Sequence, residues 1–330
     1  MSSARPRSGW AALPWRLRVI ARAMQLAERL GSGLGVEEQA ARPLAVRQAA
    51  RPAAWGQRPG PAGIERRDHR VESRGGGVAV RIHRRPDGDT AAPALVYLHG
   101  GGWVGGGFPL CDVTCDRLAE LTGVTVVSVD YRLAPEHPFP AALEDCEDVL
   151  QWLRKSGAEV GVDPDRVGVA GESAGGNLAA ALALVDRGSV PALRAQLLVY
   201  PALDATGESA FVRAFRGPGL QREQCQELVR LYLQGADPRD PRVSPLLAPD
   251  LSGLPPALVM TGGADILAGD GEAYVTRLLE AGTPARLLHL ERAPHAFMHF
   301  DRLLPEVVGA TQSAAAFVQE HLLGSDRARA

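Results

Sequence analysis

Ser173 lies in Gly171-Glu172-Ser173-Ala174-Gly175, directly after the strand-like run RVGVA and just ahead of a helical run that begins at Gly176-Asn177. A serine on a sharp strand-to-helix turn projects its Oγ outward as a nucleophile, and flanking glycines let neighbouring backbone pass close to it. The helix that follows brings N–H groups and the positive end of its dipole to the place where an oxyanion would develop. A structural serine in a tight turn would use the same residue types; the strand and helix on either side favour the nucleophile. A second glycine run, His99-Gly100-Gly101-Gly102-Trp103, follows the apolar segment ALVYL. Glycines there allow successive backbone N–H groups to converge on one point, and the N–H of Ala174 would complete an oxyanion hole with them.

Such a nucleophile needs a base, and the base needs an orienting carboxylate, in the chain order Ser, then Asp or Glu, then His. Asp265 lies just beyond the run ALVMTG, and His295 follows the run ARLLHL. Both sit at the carboxyl ends of strands, where open α/β sheets gather their sites. Asp204, after an earlier strand, is an alternative acid, and His299, one helical turn beyond His295, is an alternative base. His289 falls within a strand and is expected to pack in the sheet. His137, between Glu136 and Pro138, reads as a loop anchor.

Rival chemistries fare worse. Gly100, Gly102 and Gly105 match G-x-G-x-x-G after a strand, and the next strand ends in Asp130. That acid lies too far on for the ~20-residue spacing of a dinucleotide fingerprint. Trp103 is bulky where a pyrophosphate would sit, and Pro109 with Gly105-Gly106-Gly107 is expected to delay the helix. No Gly-Lys-Ser/Thr follows, which excludes a P-loop. The four cysteines, Cys111, Cys115, Cys146 and Cys225, form no CxxC and have no accompanying histidines at zinc spacing, so they read as free buried thiols. No metal or cofactor is called for.

The 330 residues carry a net charge of −2 and are 45% hydrophobic, which gives no electrostatic case for nucleic acid. The cations are almost all arginine; Lys155 is the only lysine. The apolar stretch from Trp10 to Leu30 is broken by Arg16, Arg18, Arg22 and Arg29, so it reads neither as a secretory leader nor as a membrane span. A cytoplasmic protein with no stable membrane insertion is the expectation. The oligomeric state stays open, a homodimer included.

The elements that must position these residues alternate. Strands are predicted at 69–73, 78–83, 94–98, 124–129, 166–170, 195–200, 257–261 and 286–290, with helices at 111–122, 140–155, 176–187, 269–281 and 306–321. The first two strands can pair as a hairpin. The later alternation implies a mostly parallel eight-stranded sheet with helices on both faces. Over fifty Pro-rich residues separate the strands at 195–200 and 257–261, with a helix at 222–233. An insertion of that length suggests a lid. Residues 1–65 are rich in Ala, Arg and Pro, with helical spacing at Leu13, Leu17, Ile20, Met24 and Ala27. That segment is expected to pack on the main domain, with a basic helix at a lipid surface as the second reading.

The chain resembles the hormone-sensitive lipase family, the bacterial family IV esterases. The resemblance rests on HGGGWVGGG at 99–107, DYRLAPEHPFPAALED at 130–145, GVDPDRVGVAGESAGGNLAA at 161–180, YPALD at 200–204, DPRVSPL at 240–246 and LSGLPPALVMTGGADIL at 251–267. It implies an α/β-hydrolase fold with a helical cap, made of residues 1–68 and an insertion at about 206–245, over a catalytic domain at 69–330. It further implies Ser173 as nucleophile, Asp265 as acid, His295 as base, and Gly101, Gly102 and Ala174 as oxyanion donors. The expected reaction is cofactor-free hydrolysis of small carboxylic esters of short to medium acyl chains. Plant hormone receptors resemble the same family without hydrolysing their ligand, but in them a triad member is replaced; here all three residues are present. Three departures stand out: Glu172 where Asp is usual, Asp265-Ile266-Leu267-Ala268-Gly269-Asp270-Gly271 where D-P-L-x-D-E-G is usual, and Ala296 where Gly is common.

Overall fold

Eight short β-rich runs assemble into one sheet in the order β1-β2-β4-β3-β5-β6-β7-β8. The computed structural model describes residues 13–19, 21–22, 35–49, 56–88 and 91–324. The strands are β1 (Glu65–Val71), β2 (Val78–Arg84), β3 (Ala92–Leu98), β4 (Thr125–Asp130), β5 (Val162–Glu172), β6 (Gln196–Val199), β7 (Ala257–Ala264) and β8 (Ala285–Pro294). β1 pairs antiparallel with β2, and β2 with β4; every other pairing is parallel. The helices are α1 (Val36–Ala40), α2 (Leu44–Gln48), α3 (Phe108–Thr122), α4 (Ala141–Ser156), α5 (Ala174–Val185), α6 (Ala210–Ala214), α7 (Arg222–Leu233), α8 (Ala268–Glu280) and α9 (Glu306–Leu322). No helix among the described residues is long and apolar enough to cross a membrane.

Both sheet faces are covered, which is why β3 is apolar without alternation. Val96 and Leu98 join the core beneath α4, α5 and α8, whereas Leu95 and Tyr97 join the core beneath α3 and α9. Burying a leucine such as Leu95 or Leu98 contributes roughly 1.5–3 kcal/mol of transfer free energy. Leu13 and Leu17 also enter the second core, as the helical spacing predicts. Ile20, Met24 and Ala27 lie outside the described residues.

Several boundaries differ from expectation; β5, for example, runs over Val162–Glu172 and β8 over Ala285–Pro294, both longer than expected. α3 starts at Phe108, directly after Gly107, with Pro109 in its first turn. Proline does not delay a helix there, because the first N–H groups have no intrahelical partner to lose. α5 starts at Ala174 instead of Gly176, so the helix begins on the residue after Ser173. β1 begins at Glu65, earlier than 69, because it pairs along its length with β2.

The β5–α5 junction is the tightest point. A Cβ on Gly175 would lie 2.0 Å from the carbonyl oxygen of Leu98 and 2.4 Å from that of His99. Both obstacles are backbone and cannot swing away. Helix propensity alone would favour alanine at this position by about 1 kcal/mol. The overlap overrides it, so Gly175→Ala is expected to destabilise at or beyond the upper end of the ~1–3 kcal/mol typical of overpacking. A melting temperature equal to wild type would contradict this account of the junction.

Candidate active site

Ser173 has φ 55° and ψ −118°, a left-handed conformation rare for a residue with a side chain. Its N–H donates to the carbonyl of Val199 at 2.9 Å, and its own carbonyl accepts from Asn177 N at 3.0 Å and Ala202 N at 3.3 Å. The backbone is thereby held on both sides, and the Oγ points to His295, whose Nε2 is 2.9 Å away. The other ring nitrogen, Nδ1, lies 2.9 Å from Asp265 Oδ2. Asp265 Oδ1 accepts from the N–H of Leu267 at 3.0 Å, so both carboxylate oxygens are engaged. A carboxylate at Nδ1 selects the tautomer protonated there and leaves the Nε2 lone pair for the serine proton. Burial by itself would depress the His295 pKa, but the charge and hydrogen bond of Asp265 outweigh it and leave the pKa above the ordinary 6.5.

A second carboxylate–imidazole pair lies behind the first. Glu172 is buried and accepts a hydrogen bond from Tyr200 Oη, and His299 Nε2 is 3.1 Å from its Oε2. Burial pushes the Glu172 carboxyl up, but the His299 charge and hydrogen bond, with the Tyr200 hydroxyl, bring it below its usual value. The Tyr200 ring meets the His295 ring edge-on at 5.0 Å and Phe297 at 4.8 Å. His299 therefore pairs with the glutamate beside Ser173, whereas the Ser173 hydroxyl meets His295. Sequence reasoning does not single out Tyr200; its place just after β6, at the head of YPALD, is the signal that could find it.

Among the described residues, Asp204, His289 and His137 make no hydrogen bond with Ser173 or His295. Asp204 Oδ1 accepts from Thr206 N at 2.9 Å, and its own N–H donates to Asp270 Oδ2 at 3.3 Å. Asp270 is buried, and burial with the neighbouring Asp204 charge raises its pKa to about 8. His289 is in β8 as expected, but it is exposed and bonds Thr261 Oγ1 at 2.9 Å instead of packing into the sheet. His137 is exposed and tied through its backbone N–H to Leu133 O at 2.9 Å.

The glycine loop abuts Ser173: a Cβ on Gly100 would stand 3.5 Å from Ser173 Cβ. Gly101 (φ 118°) and Gly102 (φ 62°) take left-handed conformations. The Gly101 carbonyl accepts from Val104 N at 3.2 Å and Gly105 N at 3.0 Å, curling the loop on itself. Among the described residues, no hydrogen bond takes up the N–H of Gly101 or Gly102. Over the loop lies α7: Leu228 Cδ2 is 2.6 Å from where a Gly102 Cβ would be, and Tyr232 stacks on Trp103 at 4.6 Å.

The same residue types meet a second time. Ser128 Oγ is 3.2 Å from His83 Nε2, and His83 Nδ1 is 2.8 Å from Asp116 Oδ1. All three are buried, and Asp116 is further paired with Arg66. No substrate carbonyl can reach Ser128, so this triplet is part of the core. Access distinguishes the two: Ser173 and His295 are partly exposed.

A family model described as the alpha/beta hydrolase fold matches residues 95–299. The chain belongs to this family. Carboxylic ester hydrolase LipN of Mycobacterium tuberculosis is 37% identical over 276 residues, covering 80% of this chain and 73% of that protein. Ethyl acetate hydrolase of Pseudomonas putida is 37% identical over 253 residues, covering 74% and 79%. Among solved structures, the thermostable carboxylesterase EstE1, cloned from a metagenomic library, superposes with a TM-score of 0.76 at 38% identity over 82% of this chain and 92% of that one. An α/β-hydrolase enzyme from the metagenome of Lake Arreo reaches a TM-score of 0.84 at 33% identity, over 94% and 99%. The resemblance to the hormone-sensitive lipase family is borne out by these relatives.

His295→Ala is expected to abolish nearly all ester turnover. His299→Ala should keep most of kcat but melt at a lower temperature, because it leaves the buried Glu172 without its imidazole partner, a loss that costs roughly 1–3 kcal/mol. Steady-state kinetics and thermal melts of both variants check this, and the reverse ranking in kcat would move the base to His299.

Proposed function

We propose that this carboxylesterase hydrolyses short to medium acyl esters of small molecules through a triad of Ser173, His295 and Asp265 and an acyl-enzyme intermediate. The observation that carries the reading is the continuous chain of contacts from Ser173 Oγ to His295 Nε2 and from His295 Nδ1 to Asp265, each 2.9 Å. Ser173 Oγ attacks the ester carbonyl while its proton passes to His295 Nε2. Asp265 holds the imidazole and stabilises the imidazolium. The tetrahedral oxyanion is received by the N–H groups of Gly101, Gly102 and Ala174, each worth roughly 3 kcal/mol. Collapse expels the alcohol, which takes the proton from His295. Water, deprotonated by the same nitrogen, then attacks the acyl-enzyme, and the carboxylic acid leaves with Ser173 restored. No step calls for a metal or cofactor.

In this reading the segment ahead of β1 and residues about 206–245 form a cap over the catalytic domain; the boundary expected between 68 and 69 falls inside β1, so residues 65–68 belong to the sheet. Support comes from the apolar cluster of Val212, Phe215, Ile266 and Leu267, which joins the insertion to the Asp265 loop, and from Leu228 over the glycine loop. Such walls close one end of an acyl pocket. Each buried methylene adds about 0.8 kcal/mol while room remains, and further carbons must then displace the cap. The ethyl acetate hydrolase among the relatives fits a short-chain preference.

Ser173→Ala is expected to fold and to lose essentially all turnover, with no acyl adduct detected by mass spectrometry. In the wild type, kcat/KM should rise with pH along a limb centred above 6.5, because the base must be neutral and Asp265 raises its pKa. The sign would be wrong if activity fell across that range.

Across p-nitrophenyl esters from acetate to palmitate, kcat/KM should climb, peak at short to medium length and drop. A maximum at palmitate with activation by emulsified substrate would defeat the chain-length part of the proposal.

A further inference from the structure

We propose that Arg47, in the N-terminal segment, is a positioning residue for the oxyanion loop; the inference rests on the ester-hydrolase reading above. Arg47 is far from the triad in sequence, yet its side chain is only 4% exposed. Its Nη1 donates to the carbonyl of Val104 at 2.6 Å and to that of Ala134 at 2.8 Å. Its Nε donates to Arg42 O at 3.1 Å, and Nη2 pairs with Glu136. The Arg47 carbonyl in turn accepts from Gly106 N at 3.1 Å. One residue therefore grips the loop at two points, Val104 and Gly106.

Both points bear on the oxyanion donors. Val104 N donates to the Gly101 carbonyl, and Trp103 O accepts from Ala134 N at 2.9 Å. The orientation of the Gly101 and Gly102 peptides thus depends on where Val104 sits. Glycines with positive φ have little torsional preference of their own to hold that orientation. A planar guanidinium supplies donors in a fixed fork and stays charged at any working pH. A lysine offers a point charge and cannot span the same carbonyls in one geometry. Displacing donors by about 1 Å can cost on the order of 10²-fold in rate without touching ground-state binding.

The test compares wild type, Arg47→Ala, Arg47→Lys and Glu136→Gln, with Glu37→Gln as a control at an exposed pair of the same segment. Expected for Arg47→Ala is a kcat loss of ~10²-fold with KM nearly unchanged. Affinity for an arylboronic acid, which forms a tetrahedral adduct on the serine, should fall by the same factor. Methylguanidine should restore part of kcat, and hydrogen exchange over residues 99–107 should quicken. Arg47→Lys should recover little, while Glu136→Gln and Glu37→Gln stay near wild type. A folded Arg47→Ala enzyme with wild-type kcat and boronate affinity overturns the proposal. So does a loss confined to KM, or a lowered melting temperature with unchanged kcat. If Arg47→Ala does not fold, Arg47→Lys decides by the same kinetic split. A wild type inactive on every ester would instead defeat the ester-hydrolase reading, and the exchange measurement would still decide whether Arg47 holds the loop.

Discussion

At Ser173 the chain leaves β5 and enters α5 with that serine as the single residue between strand and helix, and the site depends on that junction. A non-glycine residue at φ 55° costs of order 1–3 kcal/mol and persists only where its surroundings over-determine it. Here the surroundings are the neighbouring strands. Val199 of β6 accepts the Ser173 N–H, and Gly175 lies against the carbonyls that end β3. The chain that leaves β3 is the glycine loop. Its distance from Ser173 is therefore set by the same backbone contact that forces the turn.

Two carboxylate–imidazole pairs flank this junction and do different work. Asp265 with His295 faces the serine oxygen, while Glu172 with His299 lies behind it. Tyr200 touches both, through its hydroxyl to Glu172 and its ring edge to His295. The glutamate in place of the family's usual aspartate thus has a partner that reaches it from the segment carrying His295. The buried triplet of Ser128, His83 and Asp116 makes a related point: the same hydrogen-bonding sequence of residue types carries no chemistry where a substrate cannot enter.

The DYRLAPEHP stretch gains a physical explanation from its neighbours. The Tyr131 hydroxyl donates to His99 O at 2.7 Å and its ring stacks on His99 at 4.2 Å. Ala134 N–H meets Trp103 O, and Phe139 N–H meets Tyr232 O at 2.8 Å. The stretch is a bracket between the glycine loop and α7. Two segments remote in sequence, the N-terminal one through Arg47 and the insertion through Leu228 and Tyr232, converge on the same loop.

The eight strands and the fold were legible because buried parallel strands must be apolar throughout, and runs such as ALVYL and VTVVSV say so locally. The convergence of Ser173, Asp265 and His295 was legible for a similar reason: each lies at a strand end, and strand ends in a parallel sheet share one edge. Chain order alone could not separate His299 from His295, or give Glu172 a role, because that choice depends on distances of about one side chain between loops. Nor could it show Arg47, whose donors meet carbonyls of Val104 and Ala134 that carry no side-chain signature. By itself the sequence determined which residues could react and which edge of the sheet would collect them. Tertiary structure alone decided which histidine meets the serine, which Ser-His-Asp set is open to substrate, and what holds the glycine loop. Those outcomes turn on burial and on distances of about one side chain, which arise from packing between segments distant in the chain.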